Sequence, residues 1–452
     1  MYRYHLTASF EKRESVIEAT TCLENSTVTL SIPFVSPTGS LRYGLQKTVD
    51  ELKKFDIYPS ETGFDAIIFG ILVYMADMKI SRAKQAQDSW TREIILTIPV
   101  SDDRWHQYKA TFERMLKFLT GDIWDIHFSK RDTLLAETVK QDMRNNKYQY
   151  ASLFSGGMDS LIAAINFMEQ QQPTLLISHA GESVVRHWQT DLLSVLDEEY
   201  SSVPHDNAYY WTNLDNVEFP AAEFDMNQRS RSFLFIAIAL FAMSGTSNCK
   251  HLYMPENGLI AINVPLDCLR LGSHSTRTTH PFYLTLWNGI IAELFGYTIS
   301  NPYWNKTKGE MALECRNKEL LKIALRQSFS CSSVNSAKIR SGKAQHCGHC
   351  LPCIIRRAAI YKAFGSDDPS EYLFPQVHEL IENRESVGEQ IRSFQYAIDK
   401  VKKYPNSKYT LIHKPGPLNG NDDYLAEMAD TYYRGLLEVD AWIQGRLGEE
   451  QC

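Results

Sequence analysis

The stretch from Tyr148 to Gln170 constrains this chain more than any other. Tyr148–Phe154 reads as a strand, Ser155-Gly156-Gly157-Met158-Asp159-Ser160 as a tight turn, and Asp159–Gln170 as the helix that follows. Two adjacent glycines let the backbone turn sharply and approach a ligand closely. The helix start beyond them offers unpaired N–H groups and the positive end of the helix dipole, a natural cradle for an anion. Ser155 and Ser160 add hydroxyls. Asp159, in the first helical turn, is suited to ordering the loop or to holding Mg²⁺ against phosphates. The turn is not a Walker A loop, since no Gly-Lys-Ser/Thr follows, and its glycines are not spaced for a dinucleotide fingerprint.

Around that turn the order is strand, helix, strand, helix. Thr174–Ser178, Ala208–Thr212 and His251–Met254 read as strands and Ser232–Met243 as a buried helix. This alternation predicts an α/β fold, a parallel sheet with helices on both faces, over residues 146–365. Residues 1–145 have another texture: Thr91–Val100 is strand-like, Trp105–Leu119 has one apolar helical face, and Trp124, Ile126 and Phe128 alternate. They read as an N-terminal α+β domain without a chemical motif. Residues 366–452 read as a helical C-terminal extension, with amphipathic stretches at Gln376–Tyr404 and Tyr424–Leu447 around a proline- and glycine-broken segment. A length of 452 residues agrees with two to three domains.

Composition removes several function classes. Acidic residues outnumber basic ones, 54 to 47, so a nucleic-acid coat or polybasic membrane binder is not expected. The apolar runs Ala66–Ala76 and Ser232–Met243 are too short to span a bilayer. The first residues, Met-Tyr-Arg-Tyr-His, lack the build of a signal peptide, which points to a cytoplasmic protein.

Four of the nine cysteines, Cys331, Cys347, Cys350 and Cys353, follow the spacing C-x15-C-x2-C-x2-C. Four thiolates suit tetrahedral Zn²⁺, and closed coordination leaves no place for water, so such a zinc is structural. An iron–sulfur cluster is the rival reading. Gly348 supplies the turn and Pro352 stiffens it, while His346 and His349 read as neighbours of the site. Cys22, Cys249, Cys268, Cys315 and Cys452 are isolated. From Leu320 to Ser366 there is no Asp or Glu, yet eight Lys and Arg residues lie inside. Part of that charge offsets an anionic metal–thiolate centre, and the remainder attracts an anionic substrate or nucleic-acid phosphates, or forms a plain solvated face.

The strand–SGGxDS–helix unit is the pyrophosphatase-loop pattern of ATP-using adenylating enzymes. In order along the chain come Ser155–Ser160, then Pro302…Thr307-Lys308-Gly309-Glu310. Ser330-Cys331…Cys347-Gly348-His349-Cys350-Leu351-Pro352-Cys353 with Arg356 follows. This series resembles the QueC family, zinc-containing 7-cyano-7-deazaguanine synthases, over about residues 148–364. The resemblance implies that ATP adenylates the carboxylate of 7-carboxy-7-deazaguanine. It implies ATP, Mg²⁺ and Zn²⁺ as cofactors, phosphate binding by Ser155, Gly156, Gly157, Met158, Asp159 and Ser160, and roles for Arg231 and Lys308.

Two departures from the family mark a branch. The stretch after the second strand is His179-Ala180-Gly181-Glu182, with Arg186-His187 as a remnant, and the segment that would face the substrate is Ser273–Pro281, after Glu256-Asn257-Gly258. With the added N- and C-terminal regions, the chain is similar to QueC-like proteins of anti-phage defence operons. That resemblance implies amide formation with the N-terminal amine of a partner protein encoded nearby, not ammonia. Arg270, His274, Arg277 and His280 are the polar side chains expected to serve the changed nucleophile, with Arg277 and His280 as catalytic candidates. Free nitrile synthesis and an ATP-binding regulatory subunit without turnover stand as alternatives. The implied partners are a small deazaguanine and a protein, with no membrane and no nucleic acid.

Overall fold

The computed structural model describes residues 3–450 except 13–17, 23–25, 87, 139–143, 180–182, 215–216, 220–224, 226–227 and 268–276. β1 (Arg3–Ser9), β2 (Glu18–Cys22) and β3 (Thr27–Pro33) lead through α1 (Leu45–Lys53), α2 (Glu61–Lys79) and α3 (Arg82–Gln85) to β4 (Glu93–Val100). A 3₁₀ turn and α4 (Lys109–Thr120) then lead to β5 (Ile123–Lys130). The strand order is β2-β3-β1-β4-β5, and every pair is parallel except β2 with β3. The N-terminal region is therefore α/β, a correction to the α+β expectation. The cause of the misreading is visible in burial. Tyr4, Leu6, Ile94, Leu96, Ile98, Trp124 and Ile126 are buried, while the residues between them are at most half-buried. One-sided alternation is the usual mark of an antiparallel sheet. Here it arises because both crossovers, β3 to β4 and β4 to β5, run the same way, and right-handed connections then put α2 and α4 on one face.

The second sheet follows. β6 (Tyr150–Leu153), α5 (Met158–Glu169), β7 (Thr174–His179), α6 (Ser183–Glu199) and β8 (His205–Tyr210) come first. α7 (Arg231–Met243), β9 (His251–Tyr253), α8 (Gly258–Ile262), α9 (Pro281–Phe295) and β10 (Thr298–Ser300) complete it. The order is β10-β9-β6-β7-β8, all parallel. The chain leaves β6 in one direction and later returns to β9 on its other side. Right-handed crossovers in opposite directions place α5 and α6 on one face and α7 and α9 on the other. The crevice between the carboxyl ends of β6 and β9 is thus the topological switch point, where open α/β sheets take ligands.

The two sheets share one hydrophobic core. Its middle is the pair α2 and α7, and the apolar run Ala66–Ala76 is the buried centre of α2. The helices approach so closely at Gly70 that a Cβ there would lie 2.5 Å from the Ala237 methyl. Below them Arg82 and Arg92 form a buried ion-pair network with Asp77 and Asp122, Arg82 also pairing with Asp225. Asp77 also accepts from the Ser230 backbone at 2.8 Å, tying the network to the start of α7.

The remaining helices are α10 (Lys308–Leu313), α11 (Lys318–Ala324), α12 (Val334–Ser341), α13 (Leu351–Phe364), α14 (Val377–Glu382), α15 (Ser386–Lys403), α16 (Lys408–Leu411) and α17 (Asp422–Glu450). The expected helix Gln376–Tyr404 is two helices. Arg392 donates to the carbonyls of Asn383, Arg384 and Glu385 and so satisfies the break between them. α13 to α17 form a further core with Leu259 and Ile262 of α8. Among the described residues no helix is long and apolar enough to cross a membrane.

Candidate functional site

The Ser155–Ser160 turn sits at the switch point, between the carboxyl end of β6 and the start of α5. Gly156 has φ +80°, a backbone region that favours glycine, and a Cβ would press to 3.1 Å from Gln189 Cγ. The Ser155 hydroxyl accepts from Gly157 N–H at 3.2 Å and lies 3.2 Å from the Ser160 hydroxyl, while Ser330 accepts from Met158 N–H at 3.3 Å. Hydroxyl oxygens thus take main-chain donors of the kind that bind a phosphate. The Met158 side chain itself is core. Ser330, adjacent to the first cysteine of the metal motif, is a loop partner that sequence reasoning missed; its sequence signal was adjacency to Cys331.

Asp159 is buried, with one oxygen hydrogen-bonded and the other facing a cation without a hydrogen bond. Oδ2 accepts from the Asn257 backbone at 3.1 Å and its side-chain amide at 2.8 Å, and Oδ1 lies 3.0 Å from Lys308 Nζ. Lys308 opens α10, where Thr307 and Glu310 form a reciprocal capping box. Glu438 of α17 reaches the same helix end, accepting from Gly309 N–H at 2.8 Å and the Thr307 hydroxyl at 2.6 Å. The C-terminal extension therefore positions Lys308 through its helix end, a link no local sequence pattern displays.

Asp159 and Lys308 line a cleft of about 440 Å³ with Glu256, Asn257, Asn263, His349 and Gln390. Three of its polar atoms, Asp159 Oδ1, His349 Nδ1 and Gln390 Oε1, are buried without a hydrogen-bond partner in the protein. Glu256 follows β9 and accepts from the Thr279 hydroxyl. Burial, and then the charge of Asp159, push its carboxyl up to about 7, against the pull of Lys308 and the Thr279 hydrogen bond. It is the second functional candidate that sequence reasoning passed over; its signal was its place just beyond the strand next to β6.

On the other side of the turn is a smaller cavity of about 200 Å³, lined mainly by Leu153, Phe154, Ile177, Val185, Phe235 and Ile238. Its polar atoms His179 Nδ1, Gln189 Oε1 and Arg231 Nε are buried and lack hydrogen-bond partners in the protein. Burial, with Arg231 nearby, holds the His179 imidazole down at about 3, so it is neutral. Arg231 is the first residue of α7, its guanidinium 5.1 Å from the Phe235 ring. An apolar hollow with a cation and unsatisfied polar atoms suits a flat ligand bearing an anionic group.

The sulfurs of Cys331, Cys347, Cys350 and Cys353 all lie within 4.8 Å of one another. Cys347–Cys353 and Cys331–Cys350 are 4.0 and 3.9 Å apart. A tetrahedral ion with Zn–S bonds of about 2.3 Å needs sulfur–sulfur edges of about 3.8 Å, so four cysteines at these separations fit such a metal. Gly348, at φ +87°, makes the turn; a Cβ there would lie 2.4 Å from the Phe374 carbonyl. His346 instead packs on Phe329 and Tyr372. Phe329 stacks on Trp188 and donates its N–H to Gly156 O at 2.8 Å, so the cysteine-anchored segment lies across the turn. Of the basic stretch, Arg356 and Arg357 are buried and pair with Asp368 and Asp367, while Lys338, Arg340 and Lys343 are exposed.

Arg277 and His280, expected at the nucleophile end, are not brought into the cleft. Arg277 donates to the Phe118 carbonyl at the end of α4 and lies over the Phe118 ring. His280 is fully buried and caps α9 through Phe282 N–H. Their physical work is to finish α4 and start α9. Thr279, between them in sequence, is what reaches the cleft through Glu256. Arg270 and His274 lie outside the described residues. Arg186 packs over Tyr209 and Trp211, and His187 is exposed beside Asp191, so that remnant does not join the turn. No family model matches the chain, and a search of curated proteins finds no match.

Proposed function

We propose that this protein is an ATP-dependent, amide-forming enzyme that activates a carboxylate as its acyl-adenylate. The observation that carries this reading is the pair of cavities at the two ends of one turn, Ser155 lining the first and Asp159 the second. One is apolar and overlooked by Arg231; the other is polar and holds the Asp159–Lys308 pair. Adenosine suits the first, the acyl substrate the second, and the phosphates between them meet Ser155, Gly156, Gly157, Ser160 and the Met158 main chain. Asp159 Oδ1 is the carboxylate oxygen that would hold Mg²⁺, which often takes one carboxylate plus substrate phosphates. Bound there, Mg²⁺ would neutralise phosphate charge. Lys308 and Arg231 orient the reacting phosphate and stabilise charge that develops on it. A structural Zn²⁺ on the four cysteines would hold Phe329 and Ser330 against the turn.

The resemblance to the QueC family and, in its added regions, to QatC of the Qat anti-phage system supplies the substrate. We read it as 7-carboxy-7-deazaguanine, joined as an amide to the N-terminal amine of a partner protein, in the cytoplasm. Supporting this, α15 of the C-terminal extension contributes Ser386 and Gln390 to the cleft.

The test is incubation with ATP, 7-carboxy-7-deazaguanine and proteins encoded nearby, followed by intact-mass measurement. A partner heavier by the acyl group, with AMP released, is the expected result. A free nitrile formed from ammonia would favour nitrile synthesis. ATP bound but not consumed would favour a regulatory subunit.

A further inference from the structure

We propose that Glu256 is the proton acceptor that readies the attacking amine in the amide-forming step. This rests on the reading above and adds a residue that neither the turn nor the family pattern supplies.

The backbone around Glu256 is fixed from both sides. Its N–H donates to Asn301 Oδ1 at 3.3 Å and its carbonyl accepts from Asn301 Nδ2 at 2.7 Å, locking it across the ends of β9 and β10. The next residue, Asn257, caps α8 and grips Asp159. The carboxyl group thereby faces the cleft that Asp159 and Lys308 also line, on the acyl side of the turn. Thr279 steadies one carboxyl oxygen, and Glu256 enters no ion pair among the described residues. A half-buried carboxylate without a cation of its own carries a desolvation cost. The charged groups facing it are Asp159 on α5, which disfavours its ionised form, and Lys308 on α10, which favours it.

The chemistry balances simply. The amine nitrogen attacks the acyl carbonyl, a C–N bond forms, the bond from carbon to the AMP phosphate oxygen breaks, and AMP leaves with that electron pair. An ammonium nitrogen must shed two protons: one before attack, which frees its lone pair and goes to Glu256, and one after the C–N bond forms, which goes to solvent. A protein α-amine has a pKa near 8 and is mostly protonated at neutral pH, so a carboxyl poised near 7 is a matched acceptor that can pass the proton to solvent. His280, held near 3 by burial and by Arg277, has little basicity to offer.

The experiment compares two acceptors of different basicity, the partner's N-terminal amine and hydroxylamine, which is already uncharged at neutral pH. Glu256→Gln keeps the shape and the Thr279 contact. It should lower conjugation to the α-amine by about 100-fold or more, the range for loss of a general base, and hydroxamate formation by less than about tenfold. Glu256→Asp should recover part of the α-amine activity. Equal losses with both acceptors, or an Asp variant no better than Gln, would overturn the assignment. Wild-type protein that forms no hydroxamate at all would instead overturn the acyl-adenylate reading itself.

Discussion

The chain contains two five-stranded, largely parallel sheets, and they treat their carboxyl ends differently. In the first, the leading carboxylates of α2 are spent within the protein. Glu61 accepts from the N–H groups of Leu135 and Ala136, and Asp65 accepts from Ser101 and Arg131. In the second, α5 begins with glycines and serine hydroxyls, and α7 begins with an arginine whose Nε has no protein partner. A hollow of about 330 Å³ exists at the first edge too, yet Lys53 and Glu137 on its wall neutralise each other. Helix ends over a parallel sheet are anion sites only if acidic side chains do not occupy them first. Each edge also carries a segment pinned across it, by Arg131 in the first and by the four cysteines in the second.

The largest effect should come from unpinning the second edge. Purified protein is expected to carry about one Zn²⁺ per chain, and Cys350→Ser should cost solubility and melting temperature together, since metal binding is coupled to folding. Metal analysis that finds iron, or a stable protein without metal, would break the parallel between the two pins. Unpinning the first edge with Arg131→Ala leaves Asp65 buried without its cation and should cost about 3–5 kcal/mol in chemical denaturation. AMP release per folded molecule should stay at the wild-type level. A lost turnover in a well-folded Arg131→Ala protein would mean that the first edge is not merely structural.

Smaller effects sharpen the contrast at the second edge. Asp159→Asn keeps the size of the side chain but weakens its hold on Lys308, and AMP release should fall by about 100- to 1,000-fold, as when a preorganised electrostatic partner is lost. Because Asp159 and Lys308 form a buried pair, the fuller deletion Asp159→Ala should also destabilise the fold, which the turn viewed alone does not suggest. Glu438→Gln should raise the KM for ATP several-fold and lower the melting temperature modestly, since it weakens the hold on the helix end that carries Lys308 and removes an ion pair with Lys362. An unaltered KM would detach α17 from the site.

Some of this was readable in the sequence and some was not. The β6–turn–α5 unit was legible because glycine geometry and anion chemistry are local properties of six residues. The four cysteines were legible for the same reason. The parallel pairing of β1, β3, β4 and β5 was hidden, because a sheet covered on one face alternates like an antiparallel one. β10, three residues long, is too short for any period to show. Glu256 and Glu438 carry no local pattern at all; their meaning comes from Asp159 and Lys308, which lie far away in sequence. In the Arg270–His280 segment, polarity drew attention to Arg277 and His280, although burial makes both of them structural and leaves Thr279 at the cleft.

The central claim is that the second edge activates a carboxylate with ATP. Exchange of labelled pyrophosphate into ATP tests it most directly, because exchange requires reversible acyl-adenylate formation and no acceptor amine. The account predicts exchange that depends on 7-carboxy-7-deazaguanine and is lost in Asp159→Asn. Tight ATP binding with no exchange in the presence of the acid, or exchange unaffected by Asp159→Asn, would contradict it.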